Sequence, residues 1–140
     1  MKLFIDTNVM VDLLAHRQPF YEDAFKLFSL VDKKRIDAVV ASMSYATTAY
    51  ILGRAASHEM VVQALRSFSS IVRIAAVDEK AVRKAIAEDS KFTDIEDAMQ
   101  YHTALQASCD CIITRNKKDF KNADIPVFIP SEFLASYQFT

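Results

Sequence analysis

Apolar residues along this chain fall into two kinds of run. Short, mainly apolar stretches at residues 3–5, 36–41, 71–75, 109–114 and 127–129 read as strands. Between them the apolar positions recur at helical spacing. Phe20, Ala24, Leu27, Phe28 and Val31 predict a helix over about 19–33, with Pro19 in its first turn. Tyr45, Ala49, Ile51 and Leu52 predict one that Ser42 or Ser44 opens and that runs to about residue 55. Further helices are expected over about 57–68, 77–88, 94–105 and 130–137, and a short helical segment over 9–15 with Thr7 or Asn8 as its cap. Strand and helix alternate throughout, and no Asn-Gly hairpin signal interrupts them. The pattern predicts a single α/β domain over residues 1–140, a three-layer α/β/α sandwich around a mostly parallel five-stranded sheet.

Composition supports that reading. Hydrophobic residues make up 51% of the 140 positions and charged residues 25%, which excludes a disordered or low-complexity chain. Gly53 is the one glycine, and Pro19, Pro126 and Pro130 are the prolines, which suits helices joined by short connections. The formal net charge of -1 gives no global basic field, so a nucleic-acid partner would need a local basic rim. Arg17, Arg54, Arg115 and Lys117 are the candidates for such a rim. Lys33-Lys34-Arg35 is read as a solvated helix end and His58 as a first-turn surface residue. Cys109 and Cys111 lie two apart in an expected strand, facing opposite sides. They are read as buried thiols of a reducing compartment. No run approaches the ~20 apolar residues of a membrane span, and no signal peptide is visible. The expectation is a cytoplasmic protein with no membrane partner.

The chemistry of interest lies in the acids. Asp6 directly follows the first strand. Asp94 and Asp97 stand three apart at the start of a helix, so they share one face of its first turn. Asp119 follows the fourth strand through a short polar segment. In a parallel sheet the strand C-terminal ends emerge on one edge, and crossover helices that run antiparallel to the strands begin there. Four carboxylates then converge. Their repulsion calls for a hard divalent cation, Mg²⁺ or Mn²⁺, and the chemistry that fits is phosphodiester hydrolysis. Asp6, Asp97 and Asp119 are the expected ligands, with Asp94 binding directly or through water. Thr7, Thr114 and Asn116 are expected to support the carboxylates or place a water. Helix-dipole preference alone also explains Asp94 and Asp97, and Asp119 also reads as a surface cap. Asp12, Glu96 and Glu132 are read as ordinary structural or surface charges. A small phosphotransfer domain is a further reading, with the acid after strand one as nucleophile. No residue favours that over metal binding.

Three segments carry a resemblance. Phe4-Ile5-Asp6-Thr7-Asn8-Val9-Met10-Val11-Asp12 resembles the start of a PIN domain. Glu96-Asp97-Ala98-Met99-Gln100, with Asp94 ahead, resembles its acidic helix. Thr114-Arg115-Asn116-Lys117-Lys118-Asp119-Phe120 resembles its closing motif. The three span almost the whole chain at the family's order and length. The resemblance implies a sheet in the order 3-2-1-4-5 and Mg²⁺- or Mn²⁺-dependent cleavage of RNA. It also implies kinship with bacterial single-domain VapC-like toxins, which form homodimers and are held by an antitoxin protein. It places Asp6, Asp97 and Asp119 as the metal ligands, Asp94 as a variable additional acid, and Asn8 and Thr114 as supporting polar groups. One departure stands out. The family's glutamate on the helix after strand two is absent, and Thr47 or Thr48 stands near its place. A catalytically weak PIN-like module that binds RNA or a protein partner is therefore the alternative reading.

Overall fold

The computed structural model describes residues 1–137. Its sheet has five parallel strands in the order β3-β2-β1-β4-β5, as the resemblance implies. The strands are β1 (Lys2–Ile5), β2 (Asp37–Ala41), β3 (Arg73–Ala75), β4 (Cys111–Ile113) and β5 (Val127–Phe128). The helices are α1 (Thr7–Leu14), α2 (Tyr21–Asp32), α3 (Met43–Leu52), α4 (His58–Ser69), α5 (Glu79–Ala85), α6 (Ile95–Gln106) and α7 (Pro130–Ser136). A short 3₁₀ turn over Lys117–Phe120 joins β4 to β5.

The continuous apolar runs of the three central strands divide between two cores, one on each face of the sheet. Leu3, Ile5, Ala38, Val40, Cys111 and Ile113 face the larger core with α1, α2 and α7 residues such as Val9, Leu27 and Phe133. Phe4, Val39, Ala41 and Ile112 face the smaller one with Tyr101, Ala104 and Phe120. Alternate side chains of a strand point to opposite faces, so a strand buried on both sides must be apolar throughout. The two cysteines follow the same rule: Cys111 enters the larger core and Cys109 the smaller. Burial holds both thiols protonated, pushed up to about 11 for Cys109 and about 12 for Cys111.

Several boundaries differ from the sequence pattern, each for a local reason. Strand β3 covers three residues rather than five, and two of those are exposed, as expected of an edge strand with one neighbour. Helix α2 starts at Tyr21 rather than Pro19, whose peptide bond with Gln18 is cis. Helix α5 ends at Ala85, three residues early. Asp78 caps that helix by accepting the Ala81 N–H at 2.9 Å. Cys109 precedes β4, because Ser108 turns the chain with a positive φ of 57°. The end of the final helix falls at Ser136, within the described residues. No helix among the described residues is long and apolar enough to cross a membrane.

Candidate active site

Asp6 is the first residue beyond β1 and occupies the N-cap position of α1, one earlier than Thr7 or Asn8. Its backbone N–H still belongs to the sheet, donating to the Ile113 carbonyl at 2.9 Å. Its backbone carbonyl already belongs to the helix, accepting from Val9 at 3.0 Å. The carboxylate does not cap the helix. Instead Gln100 Nε2 donates to Oδ1 at 2.8 Å and Thr114 Oγ1 donates to Oδ2 at 2.7 Å. Both partners come from elements that flank β1 in space, α6 and the end of β4. Asp6 is 5% exposed. Burial raises its pKa, the Thr114 and Gln100 hydrogen bonds oppose that, and the charge of Asp119 adds to it.

Gln100 ties three elements together. Besides its bond to Asp6, its Oε1 accepts from the Thr7 N–H at 3.2 Å and the Thr7 hydroxyl at 3.3 Å. The Thr7 hydroxyl also lies 2.6 Å from that of Ser44 on α3. All of these groups are buried. A satisfied polar network of this kind fixes side-chain positions more tightly than apolar packing does. Thr114 extends it outward, its Oγ1 accepting from the Asn116 N–H at 3.1 Å. Asn8 Oδ1 accepts from the Arg115 N–H at 3.4 Å.

An open cleft of about 300 Å³ lies above Asp6 at the C-terminal edge of the sheet. Asp6, Asp94, Asp97 and Asp119 all line it, together with Thr7, Asn8, Asn116 and Arg17. Glu96 lines it too, which corrects the reading of that residue as an ordinary surface charge. Asp94 is the N-cap of α6 and spends Oδ1 on the Asp97 N–H at 3.0 Å. Thr47, not the fully buried Thr48, faces the cleft, which settles which threonine stands where an acid was expected.

The acids feel one another. Asp97 is half-buried, and its pKa is raised from 3.8 to about 7. Burial is the leading cause, followed by the charges of Asp6, Asp94, Asp119 and Glu96. Glu96 is raised by burial and then by Asp6 and Asp94. The donor set is oxygen throughout, with no histidine or cysteine in the lining, which is the chemistry a hard cation takes. As placed, however, no group of three or more histidine, cysteine or acidic side chains among the described residues stands close enough to hold a metal. Mg²⁺ keeps most of its waters and needs only one or two direct carboxylates. The lining thus offers the oxygen donors such an ion takes, with Asp6 the most firmly held of them.

The expected rim is only partly present. Arg17 lines the cleft. Arg115 turns away: its Nε donates to Asp12 at 2.7 Å, and its guanidinium lies 4.1 Å over the Phe20 ring. Asp12 is 1% exposed, so this is a buried charge with a structural partner. Lys117 pairs with Glu132 at 3.2 Å. Arg54 lies 4.7 Å over Tyr50, on its own helix end. These three do not line the cleft. Gln100 was the polar residue that pattern reading passed over, and Ser44, read as a possible helix cap, instead pairs with Thr7 while Ser42 takes the cap position. Gln100 stands three after Asp97, and that spacing on one helix face was the available signal.

A PIN domain family model matches residues 2–118 of the chain. The chain is 27% identical over 135 residues to ribonuclease VapC1 of Aquifex aeolicus strain VF5, covering 94% of this chain and 92% of that protein. Among solved structures it superposes on Mycobacterium tuberculosis VapC20, described as a sarcin-ricin loop cleaving toxin. That match has a TM-score of 0.68 and 19% identity, covering 88% of this chain and 95% of that one. It also superposes on VapBC2 from Rickettsia felis, solved bound to a DNA fragment from their promoter. There the TM-score is 0.65 at 19% identity, with 91% and 97% covered. At that identity the structural likeness speaks to the fold.

Proposed function

The chain belongs to the PIN domain family, and from that premise we propose that it is a divalent-metal-dependent endoribonuclease. The observation that carries this reading is the convergence of Asp6, Asp94, Asp97 and Asp119 on one cleft. With it goes the pKa of Asp97, raised to about 7 by burial and by its acidic neighbours. A cluster so poised favours a bound cation over coexisting free charges. Asp6, Asp97 and Asp119 would hold Mg²⁺ or Mn²⁺, with Asp94 or Glu96 reaching it through water. Such an ion supplies Lewis acidity and a nucleophilic water at neutral pH.

The chain's own residues supply position. Gln100 and Thr114 each hydrogen-bond one oxygen of Asp6, which fixes the carboxylate that lines the cleft. Thr7, held by Gln100 and Ser44, fixes the start of α1 beneath the cleft. Asn8 and Asn116 line the cleft as neutral groups able to orient a water or a ribose hydroxyl. Arg17 supplies the cation of the lining for a phosphate.

Family membership extends the proposal. The relatives and the solved structures include a ribonuclease, a sarcin-ricin loop cleaving toxin and a toxin-antitoxin complex from Klebsiella pneumoniae, so a toxin role with an antitoxin protein, homodimerisation and a cytoplasmic setting are proposed with it. A second reading rests on a specific observation. Thr47 faces the cleft where the family's glutamate is expected, and no ready-made metal cluster is present among the described residues. On that reading the protein is a weak or inactive PIN-like module that binds RNA or a protein partner.

Labelled single-stranded RNA incubated with the protein and Mn²⁺ or Mg²⁺ separates the two. The ribonuclease reading expects cleavage that EDTA, Asp6→Asn and Asp97→Asn each abolish. Cleavage that survives in both variants would overturn the carboxylate mechanism. Binding without cleavage by the intact protein would support the second reading.

A further inference from the structure

A second cavity of about 300 Å³ lies around the corner from the cleft. It is bounded by α5, the loop that leads into α6, the second turn of α6, and the segment after the 3₁₀ turn. Two segments border both cavities, α6 and the chain around the 3₁₀ turn. On α6, Asp97 lines the cleft and Tyr101 lines this cavity, four residues or about 6 Å further along the axis. Within the 3₁₀ turn Asp119 lines the first, and two residues beyond the turn Asn122 lines the second. A strand lying across the cleft therefore has this cavity within reach.

Its lining is aromatic and cationic. Tyr101 is buried at its back, with Phe92 at 4.9 Å between ring centroids and His102 at 5.2 Å. Asp124 locks the Tyr101 hydroxyl in place, donating its N–H at 3.1 Å and accepting on Oδ2 at 3.4 Å. Burial and the charge of Lys84 lower the His102 pKa, which favours a neutral ring. Lys84 and Lys91 stand at the mouth, both exposed and neither in an ion pair among the described residues. Arg115 and Lys117, by contrast, are consumed by Asp12 and Glu132. Asp89 adds an exposed carboxylate acceptor to the lining.

Aromatic faces beside cations are how proteins take unpaired nucleotides, the ring stacking on the base and the cation meeting the phosphate. The volume is at the low end of small-molecule pockets, which suits one nucleotide and not two. We propose that this cavity binds a single unpaired nucleotide of an RNA strand, flanking the bond held in the acidic cleft. The base enters against Phe92, Tyr101 and His102. The phosphate lies toward Lys84 and Lys91. Asp89 favours a base with an exocyclic amine over uracil, because a carboxylate accepts from an amine and is repelled by a carbonyl. The assignment of the ligand to RNA rests on the ribonuclease reading of the cleft.

The test is an NMR titration of the isotope-labelled protein with AMP, CMP and UMP in EDTA, following the His102 ring and the amides of residues 89–92. The expected result is saturable shifts there, stronger with AMP and CMP than with UMP. Lys84→Glu combined with Lys91→Glu, both exposed sites outside the core, weakens binding about tenfold. Phe92→Ala does the same, the scale of one lost base–aromatic stack. Asp97→Asn leaves nucleotide affinity in place. No shift with any nucleotide, shifts confined to the cleft, or indifference to the double lysine change would overturn the proposal. A second arm measures RNA cleavage, where the double lysine change raises KM about tenfold with little change in kcat. An unchanged KM beside intact mononucleotide binding would overturn the RNA assignment in favour of a free nucleotide. No RNA cleavage by the intact protein with Mn²⁺ or Mg²⁺, beside saturable nucleotide shifts, would sink the ribonuclease reading alone, because the titration is run without metal.

Discussion

Replacing Asp97 by Asn should make the metal-free protein more stable while disabling its site. Asp97 carries a pKa of about 7 against an ordinary 3.8, chiefly through burial and then through Asp6, Asp94, Asp119 and Glu96. A carboxylate whose folded pKa lies above its unfolded pKa binds its proton more tightly in the native state. Stability is then greatest below the unfolded value and falls as pH rises from about 4 toward 7, levelling off above. Roughly three pKa units would correspond to about 4 kcal/mol as an upper bound. The carboxylate borders an open cleft, so solvent screening reduces this to about 1–2 kcal/mol. For a chain of this length that is a gain of about 3–8 °C in Tm for Asp97→Asn. The assay is thermal unfolding followed by circular dichroism in EDTA at about pH 8 and about pH 3.5, the latter below the unfolded pKa. The gain should be full at the higher pH and mostly absent at the lower. Saturating Mn²⁺ should raise the wild-type Tm and leave the variant unmoved, since a ligand of the native state stabilises only the chain that binds it. Equal stability of variant and wild type at pH 8, or an equal gain at both pH values, would refute the claim that the acids repel one another.

Three other perturbations follow from the same geometry. Thr47→Glu places a carboxylate in the cleft at the position where one is expected; it should tighten Mn²⁺ binding by about tenfold, measured calorimetrically, and lower the metal-free Tm. Gln100→Leu strips the donor from Asp6 Oδ1 and the acceptor from the Thr7 N–H, costing about 1–3 kcal/mol in urea unfolding and weakening Mn²⁺ affinity about 10–100-fold. Arg115→Ala leaves the buried Asp12 carboxylate without its partner and should destabilise by about 3–5 kcal/mol. Arg115→Lys should recover little of that loss, since an ammonium matches neither the Nε geometry nor the stack on Phe20.

The central strands were legible because burial on both faces demands unbroken apolar runs, and Leu3-Phe4-Ile5 meets that demand without ambiguity. The edge strand β3 was less so. Two of its three residues are exposed, and the pattern ran two residues too long. The order of the strands came from the resemblance and not from periodicity, because register between parallel strands leaves no local signature. Asp6, Asp97 and Asp119 were readable as acids at element boundaries. Glu96 was not, because an acid in a first turn is explained by the helix dipole whether or not it faces a cleft. Gln100 was hidden for a different reason. A glutamine in a helix reads as a solvated residue, and only the approach of β1 reveals that both its amide atoms are used. The basic rim was the weakest part. Arg115 sits inside the closing motif, yet Asp12, one turn into α1, takes its charge away from the cleft.

The central claim is that the acidic cleft holds a divalent cation. Crystals of the protein soaked in Mn²⁺ and measured for anomalous scattering test it most directly. A peak is expected in the cleft, bonded to Asp6 and to at least one of Asp97 and Asp119, and absent from Asp6→Asn crystals. A cleft that stays empty in Mn²⁺, in a protein that still cleaves RNA, would contradict it.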